Sequence, residues 1–466
     1  MQFNSFIFIL SFSVFFWLYW LLAKTKNVQN IFIVIASYAF YSYYDWRCSF
    51  LLFVSSLSAF IAGRLLNKER SGFLSKRIIC LTTICFNLLI LGVFKYANFF
   101  IDVANDVTGG GINNLDIILP VGISFYTFSV ISYIVDIYRK DISTEVKFWD
   151  CMAYVSFFPS LLSGPIHKGA VQIPQFEKKR EFNYELTISG FKDFLWGTFL
   201  KLCVANRLGM YVDAVYNNIE HHNGTTLLLN SFLYTIQIYA DFAGYSLMAI
   251  GCGKMLGIIL QTNFKRPYLA KTITEFWGRW HMSLTSWFKY YVYIPLGGNR
   301  VKKWRWMCNI MIVFLLSGLW HGAAYTFIIW GAIHGIVQIV EKIFYGQNNK
   351  NVSISLLNYL KVIITFCIVS FAWIFFRLPT LPEAITVIKR IFTDVGSPFI
   401  NMHVMLFAAM SIVILIIKDV IDEFRPNIKF LSSNNKIVAF IACILLLLYI
   451  MQFGCLDSES FIYFQF

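Results

Sequence analysis

The sequence SGLWHGAAYTF, Ser317 to Phe327, places a histidine inside an apolar region. The stretch CNIMIVFLL precedes it directly, and IIWGAIHG follows it. Flanking runs of this length and composition predict helices in a membrane. Ionisable residues at membrane depth are costly to bury, so each one is a candidate functional residue. The role of His321 is therefore the first question that the sequence raises.

Apolar runs of about 20 residues recur along the whole chain, and each is long enough to cross a bilayer. Of the 466 residues, 58% are hydrophobic and 14% are charged, whereas about 25% are charged in an ordinary soluble domain. We predict an all-α polytopic membrane protein with about twelve membrane helices. The first run, Met1 to Leu22, lacks a basic n-region and is expected to be a retained helix, not a signal peptide.

The net charge of +14 is explained by basic loops that obey the positive-inside rule and contact anionic membrane lipids. Nucleic acid is not predicted as a partner. The loops Arg64–Arg77 and GGNRVKKWRW (297–306) are expected to be cytoplasmic. The polar loop NNIEHHNGTT (217–226) and both chain ends are expected outside.

The stretch from Tyr239 to Trp306 is the most polar part of this apolar chain. Charged residues lie among aromatic ones, and glycine or proline interrupts the pattern at Pro267, Pro295 and Gly297-Gly298. A simple spanning helix does not fit, because a charge at the bilayer centre costs about 2.5–3.5 kcal/mol. We predict broken helices that are buried in protein around a central cavity.

A second interrupted segment, Phe148 to Gly169, contains Pro159 and Gly164-Pro165 and is predicted to enter the membrane and return. No internal repeat is visible. We predict a single domain over residues 1–466. It comprises N-terminal helices in 1–140, a core with broken helices in 149–347, and C-terminal helices and a tail in 355–466.

Five long motifs stand out in this chain: NFKRPY (263–268), Glu275–Arg300, Ser317–Gly335, Leu119–Arg139 and Leu161–Phe176. They resemble the membrane-bound O-acyltransferase family. Their order and spacing are similar to the bacterial branches that act in alginate O-acetylation and in D-alanyl transfer to teichoic acid. The C-terminal helices and the overall length are more similar to the alginate type.

The resemblance implies a catalytic role for two histidines: the family's near-invariant histidine corresponds to His321, and its second histidine to His281. For His281, a direct role in the reaction and a role in orienting the substrate or the broken helix both stay open. It implies a fold in which helices surround a cytoplasmic funnel that narrows to a tunnel at the histidine. Acetyl-CoA would be the acyl donor, with no bound cofactor. The acceptor would be an extracytoplasmic polysaccharide or peptidoglycan, reached with an SGNH-type acetyltransferase as partner. The location would be the bacterial cytoplasmic (inner) membrane, with multiple passes.

The chemistry of acyl transfer is consistent with these histidines. Transfer to a hydroxyl needs a general base, and a neutral imidazole is a good one. Burial keeps an imidazole neutral, because it disfavours the charged form. A thioester donor already carries a good leaving group, so no protein nucleophile is required, and no G-x-S-x-G motif is present. No metal site is predicted, because no two histidines have H-x-x-x-H spacing and no cysteines form C-x-x-C.

Four basic residues of the central stretch are candidates for the donor funnel, where they would contact coenzyme A phosphates. Ordinary cytoplasmic positive charge explains them equally well. Asp241 is predicted to be a structural partner for a buried cation. His334 lies 13 residues after His321, so on one continuous helix it would face away and make a packing or polar contact. The four candidates are Lys265, Arg266, Arg279 and Lys289.

The final residues FIYFQF, Phe461 to Phe466, allow two interpretations. Aromatic residues are common anchors at the membrane interface. The tail also resembles a C-terminal motif found with bacterial members of the family, and that resemblance implies an acyl relay through Tyr463.

Two alternative functions stay open at this point. D-alanyl transfer to teichoic acid uses the same chemistry with a carrier-protein thioester as donor. A transporter or flippase of a lipid-linked sugar would also be a polytopic protein. Transporters usually show repeated halves with paired broken segments, whereas the irregular segments here concentrate in one central block, which favours the enzyme.

Overall fold

The computed structural model describes residues 2–43, 45–67, 72–142, 145–162, 164–345 and 356–456. These residues are mostly helical and contain no strand, which confirms the predicted all-α class. The α-helices are α1 (Phe6–Leu22), α2 (Lys26–Ser42), α3 (Trp46–Asn67), α4 (Phe73–Leu91), α5 (Ala97–Thr108), α6 (Ile123–Tyr138), α7 (Phe148–Ser156), α8 (Phe158–Leu161), α9 (Gly169–Phe176), α10 (Tyr184–Phe199), α11 (Asn206–Tyr216), α12 (Gly224–Met255), α13 (Ile273–Arg279), α14 (Met282–Phe288), α15 (Lys303–His321), α16 (Tyr325–Tyr345), α17 (Leu356–Arg377), α18 (Leu381–Thr393), α19 (Met402–Phe424) and α20 (Lys436–Phe453).

Within the described ranges, six helices are long and apolar enough to cross a membrane. Two shorter apolar helices, α1 and α6, accompany them. The protein is therefore a polytopic membrane protein, as predicted, while the figure of about twelve spans stays a prediction. The six helices are Trp46–Asn67, Ser75–Thr108, Tyr325–Phe344, Leu357–Arg377, Met402–Phe424 and Lys436–Phe453.

The chain forms two compact units. The first comprises Met1–Phe194 and Met248–Gln261, and the second comprises Leu195–Leu247 and Thr262–Phe466. The predicted single domain over 1–466 is not tested by this division and stays a prediction. His281, His321 and the candidate donor residues all belong to the second unit.

In the first unit, a buried polar network joins helices that are far apart in sequence. Asp150 on α7 accepts hydrogen bonds from Lys26 Nζ at 2.9 Å and from Asn30 Nδ2 at 2.7 Å. Arg180 donates to Asn30 Oδ1 at 2.7 Å and to the Tyr19 hydroxyl at 2.6 Å. Because every charge in the network has a partner, the unit can bury it at a tolerable desolvation cost.

The interruptions predicted between Phe148 and Gly169 are present in the first unit. Helix α7 ends at Ser156, α8 is a single turn that begins just before Pro159, and the chain is not helical from 164 to 168. Most side chains of this segment are buried. The prediction of an interrupted, protein-buried segment is confirmed, and its depth in the membrane stays a prediction.

In the second unit, α15 and α16 form an antiparallel hairpin around the W-H-G motif. The two backbones approach closely at small residues: a Cβ added to Gly318 would collide with the Phe327 carbonyl, and one added to Gly331 with the Phe314 carbonyl. Small residues allow this contact between membrane helices. The turn of the hairpin comes directly after His321, which is the last residue of α15.

The central stretch is broken, as predicted. After α12 the chain is irregular apart from one short 3₁₀ turn, and then it forms two seven-residue helices, α13 and α14. A π-helical turn, Lys289–Tyr293, follows α14. Arg266 and His281 both have positive φ angles, 48° and 42°, a conformation that non-glycine residues adopt rarely. The chain therefore turns sharply on both sides of α13.

Candidate active site

His321 lies at the C-terminal end of α15 and is 3% exposed. Aromatic rings enclose its imidazole. The ring centroid is 4.9 Å from that of Trp320, 5.1 Å from that of Trp330 on α16, and 5.1 Å from that of Phe376 on α17. The hairpin and α17 thus hold the imidazole in an apolar, aromatic enclosure.

His281 is the second buried imidazole of the site, and it is 2% exposed. Its ring centroid is 6.4 Å from that of His321 and 6.0 Å from that of Trp320. The two histidines predicted as a catalytic pair are 40 positions apart in sequence, and the structure brings them together. The catalytic role of each histidine stays a prediction.

His334 was predicted to face away from His321 on a continuous helix, and that geometry is wrong. The helix ends at His321 and a new one starts at Tyr325, so the two histidines lie on antiparallel helices. Trp330 contacts both imidazoles, with ring centroids 5.1 Å away in each case. The expected polar contact is confirmed, because Trp277 Nε1 donates to His334 Nδ1 at 3.3 Å.

Two of the candidate donor residues, Arg266 and Arg279, are ion-paired in the structure. Arg279 holds Glu423 of α19 through two hydrogen bonds of 2.8 and 3.1 Å, and it contacts Glu275 at 2.6 Å. Arg266 Nε donates to the same Glu423 carboxylate at 2.6 Å. Two positive and two negative charges therefore balance, and the two guanidinium groups have less positive charge to offer a phosphate.

The other two candidates, Lys265 and Lys289, have exposed side chains. Neither forms an ion pair with another described residue. The Lys265 backbone N–H donates to the Arg279 carbonyl at 2.9 Å, which places Lys265 beside the turn that carries His281. Lys265 and Lys289 are thus the better placed of the four for an anionic ligand.

Asp241 lies on α12 and is 1% exposed. Its Oδ1 atom is 2.6 Å from Nζ of Lys201, whose side chain is also buried. Lys201 belongs to a π-helical turn, Leu200–Ala205. The predicted buried cation beside Asp241 is therefore present, and its identity is Lys201.

Tyr463 lies outside the described residues, as does the rest of the tail from residue 457 onwards. The described chain ends beside the π-helical turn that contains Lys201. There the Cys455 backbone N–H donates to the Leu202 carbonyl at 3.0 Å, and Asn206 Nδ2 donates to the Cys455 carbonyl at 2.9 Å. These bonds fix the point from which the tail starts.

Three residues of the site were missed in the sequence: Lys201, Trp330 and Glu423. Glu423 is an acidic residue at the end of an apolar run, and that position alone was a usable signal because such residues need a partner. Lys201 carried the same signal, because it is a lone charge inside the apolar run FLWGTFLKLCVA (194–205). Trp330 had no comparable signal, and its importance follows only from which helices pack together.

No group of three or more His, Cys, Asp or Glu side chains that could hold a metal ion occurs in the part of the chain that the structure describes. The described residues around His281 and His321 are imidazoles and aromatic rings.

Fold and site together define an integral membrane protein with two adjacent buried imidazoles in an aromatic enclosure. The model of the MBOAT, membrane-bound O-acyltransferase, family matches residues 137–378, a range that includes His281, His321 and His334. The chain belongs to the membrane-bound O-acyltransferase family and is an enzyme of that class.

Three curated relatives give the family membership more detail. The chain is 37% identical to the probable alginate O-acetylase AlgI of Pseudomonas aeruginosa, over 84% of this chain and 75% of that protein. It is 31% identical to the peptidoglycan O-acetyltransferase of Helicobacter pylori, over 95% and 93%. It is 30% identical to the teichoic acid D-alanyltransferase of Bacillus subtilis, over 55% and 68%.

Proposed function

We propose that this protein moves an acetyl group from cytoplasmic acetyl-CoA across the membrane for O-acetylation of an extracytoplasmic polysaccharide or peptidoglycan. The observation that carries the proposal is the pairing of His281 and His321 in one buried aromatic enclosure. Relatives named as acetylases of alginate and of peptidoglycan match over more of this chain than the D-alanyltransferase does. This difference favours acetyl transfer over D-alanyl transfer.

In the proposed reaction, His321 acts as general base. It takes the proton from an acceptor hydroxyl while the oxygen attacks the thioester carbonyl. The tetrahedral intermediate collapses, the carbon–sulfur bond breaks, and the coenzyme A thiolate leaves with the proton that His321 returns. An ester and free coenzyme A are the products. His281, whose ring centroid lies 6.4 Å from that of His321, orients the acceptor or the carbonyl group.

The reaction class is tested with purified protein in lipid nanodiscs. Radiolabelled acetyl-CoA should give coenzyme A release that depends on a soluble glycan or on a purified SGNH-type acetyltransferase, the proposed partner. Activity with a D-alanyl carrier protein and none with acetyl-CoA would show that the protein transfers D-alanyl groups and not acetyl groups. Movement of a lipid-linked sugar without any acyl transfer would support the transporter alternative instead.

We propose that helices surround a funnel that opens to the cytoplasm, with Lys265 and Lys289 near the phosphates of coenzyme A. Lys303 begins α15 and His321 ends it, so the helix carries the imidazole about 27 Å from Lys303 at 1.5 Å per residue. A donor that enters beside Lys303 must therefore extend its acyl arm deeply to reach the base. The proposed membrane is the bacterial cytoplasmic membrane.

A topology prediction follows for Lys303→Cys, whose side chain is exposed. The introduced thiol should react with an impermeant maleimide in inverted membrane vesicles and stay unlabelled in right-side-out vesicles, because the basic loop that precedes α15 is cytoplasmic. The background must lack the exposed and partly exposed native cysteines, because Cys455 lies near the end predicted outside and would itself react in right-side-out vesicles. These are Cys85, Cys308, Cys367, Cys443 and Cys455. Asn217→Cys, in a loop predicted outside, is the matched control and should give the opposite result. Labelling of Lys303→Cys in right-side-out vesicles would overturn the orientation.

We propose further that Tyr463 relays the acetyl group to the extracytoplasmic partner. Tyr463 is eight residues beyond Cys455, so it can reach about 28 Å from that anchored point at roughly 3.5 Å per residue. A phenol, with a pKa near 10 in its free form, is a better-matched nucleophile for an imidazole base than a sugar hydroxyl. The aryl ester would be activated enough to pass its acetyl group on.

The relay predicts a specific result for Tyr463→Phe, which keeps the aromatic ring and removes only the oxygen. Glycan acetylation should be lost at least about 100-fold, in the range of a missing catalytic group, with normal protein in the membrane. Acetate content of the isolated glycan is the measurement. Phe464→Leu, which changes a neighbouring ring and leaves Tyr463 in place, is the control. Normal acetylation in Tyr463→Phe would mean that the tail is a membrane anchor only.

A further inference from the structure

His281 occupies an unusual position for a residue of a buried site. It is the N-cap residue of α14, and its φ and ψ angles of 42° and 51° are left-handed. A side chain at this position normally accepts a hydrogen bond from the first turn of the helix. The His281 side chain makes no such bond, because its imidazole lies beside Trp320 and His321 instead.

Asn263, 18 positions earlier in the chain, supplies the missing cap. It is 1% exposed. Its side-chain Oδ1 accepts from the Ser283 backbone N–H at 3.2 Å and from the Ser283 hydroxyl at 2.9 Å. Its backbone carbonyl accepts from the Met282 N–H at 2.8 Å. One asparagine thus satisfies the first two N–H groups of α14, directly after His281.

The Asn263 side chain is itself held in place. Its Nδ2 donates to the Ser246 hydroxyl of α12 at 3.0 Å, so the amide is fixed at both ends. This contact ties the His281 turn to α12, a helix of 32 residues. In contrast, the Nδ1 atom of His281 is buried and has no hydrogen-bond partner in the described part of the chain. The hydrogen bonds to Asn263 fix the backbone of this turn, and they leave Nδ1 of the His281 imidazole available to a reacting group.

We propose that Asn263 is a positioning residue for the transfer reaction: it caps α14 in place of His281 and so directs the His281 imidazole towards His321. This inference rests on the proposed function for its effect on activity, but its structural part does not. Without the Asn263 side chain, the Ser283 N–H and hydroxyl lose their acceptor, whereas the Met282 N–H keeps the Asn263 backbone carbonyl. The left-handed turn is then no longer favoured over one in which His281 caps its own helix.

A double-mutant cycle tests the effect on activity. Asn263→Leu should lower acetyl turnover by about 10- to 100-fold, the size expected when a reacting group is misplaced by about 1 Å. Asn263→Asp keeps the acceptor oxygen and should recover most of the turnover. In a His281→Ala background, Asn263→Leu should cause no further loss, because its effect passes through the imidazole. Losses that multiply would overturn the proposal.

A second measurement keeps the test independent of the proposed function. In ¹⁵N-histidine-labelled protein, the His281 signal is identified by its absence in His281→Ala. Asn263→Leu should shift or broaden this signal and leave that of the exposed His403 unchanged. Asn309→Leu is the matched control: Asn309 is also buried in the second unit, donates to the Leu296 and Gly298 carbonyls, and should not affect His281.

If Asn263→Leu does not accumulate in the membrane, Ser283→Ala replaces it. That variant removes one hydrogen bond to Asn263 Oδ1 and little volume, and it should shift the His281 signal in the same direction by a smaller amount. An unchanged His281 signal in the folded variant would overturn the positioning role, whatever the activity. A shifted signal in a protein that transfers no acetyl group would keep the positioning role and reject the proposed function.

Discussion

Replacing His321 with glutamine is expected to abolish acetyl transfer while the protein accumulates normally in the membrane. Glutamine fills most of the imidazole's volume inside the enclosure of Trp320, Trp330 and Phe376, but it cannot accept a proton. A general base contributes about 10²–10⁴-fold to the rate, so turnover of acetyl-CoA should fall by at least that range. Single-turnover release of coenzyme A by purified protein is the measurement.

His334→Gln is the matched control for this experiment. His334 is as deeply buried as His321, shares Trp330 with it, and has no role in the proposed chemistry. Glutamine can still accept the hydrogen bond from Trp277, so turnover should stay within a few-fold of the wild type. A His321→Gln protein that transfers acetyl groups at the wild-type rate would show that His321 is not the base. Equal losses in both variants would mean that the enclosure, and not the base, controls the rate.

The general architecture was predictable because it depends on local properties of the sequence. Long apolar runs predict membrane helices wherever they occur, and charges with glycine and proline predict interruptions. Both expectations are met in the segments around Pro159 and Pro267. The membrane-bound O-acyltransferase family was also identified correctly from its motifs, since those motifs are long and specific.

Long-range pairing was much harder to predict. Arg266 and Arg279 were candidates for phosphate binding because sequence shows their charge but not their partner. Glu423, which neutralises both, lies 157 and 144 positions away. Nothing in the local pattern specifies that α19 packs against the central block. The sequence therefore indicated where charges had to be buried and left open which opposite charge accompanied each.

The position of His334 shows how a correct periodicity can give a wrong geometry. The angle of 100° per residue holds only while a helix continues, and here the chain turns at Gly322. Glycine followed by two alanines was a weak signal for this turn, because all three are tolerated inside membrane helices. A prediction about two residues on one face thus depends on every residue between them being helical.

The ion pair of Lys201 and Asp241 should dominate the stability of the second unit. Both side chains are almost fully buried, 3% and 1% exposed, and their charged atoms are 2.6 Å apart. Removing one partner leaves an uncompensated charge, which costs about 3–5 kcal/mol in a buried pair. Lys201→Met and Asp241→Leu are each expected to lower the unfolding free energy in detergent by this amount, as measured by chemical denaturation.

The double variant Lys201→Met/Asp241→Leu should recover most of the loss, because apolar side chains of similar volume can replace a buried ion pair at little cost. The exposed pair Arg64–Glu145 of the first unit is the control, and Glu145→Ala should cost less than about 1 kcal/mol. Single variants as stable as the wild type would show that the pair is not structural. A stable double variant that transfers acetyl groups normally would show that Asp241 has a role in folding only. Loss of transfer in that stable protein would instead assign Asp241 to the reaction, since the fold no longer needs its charge.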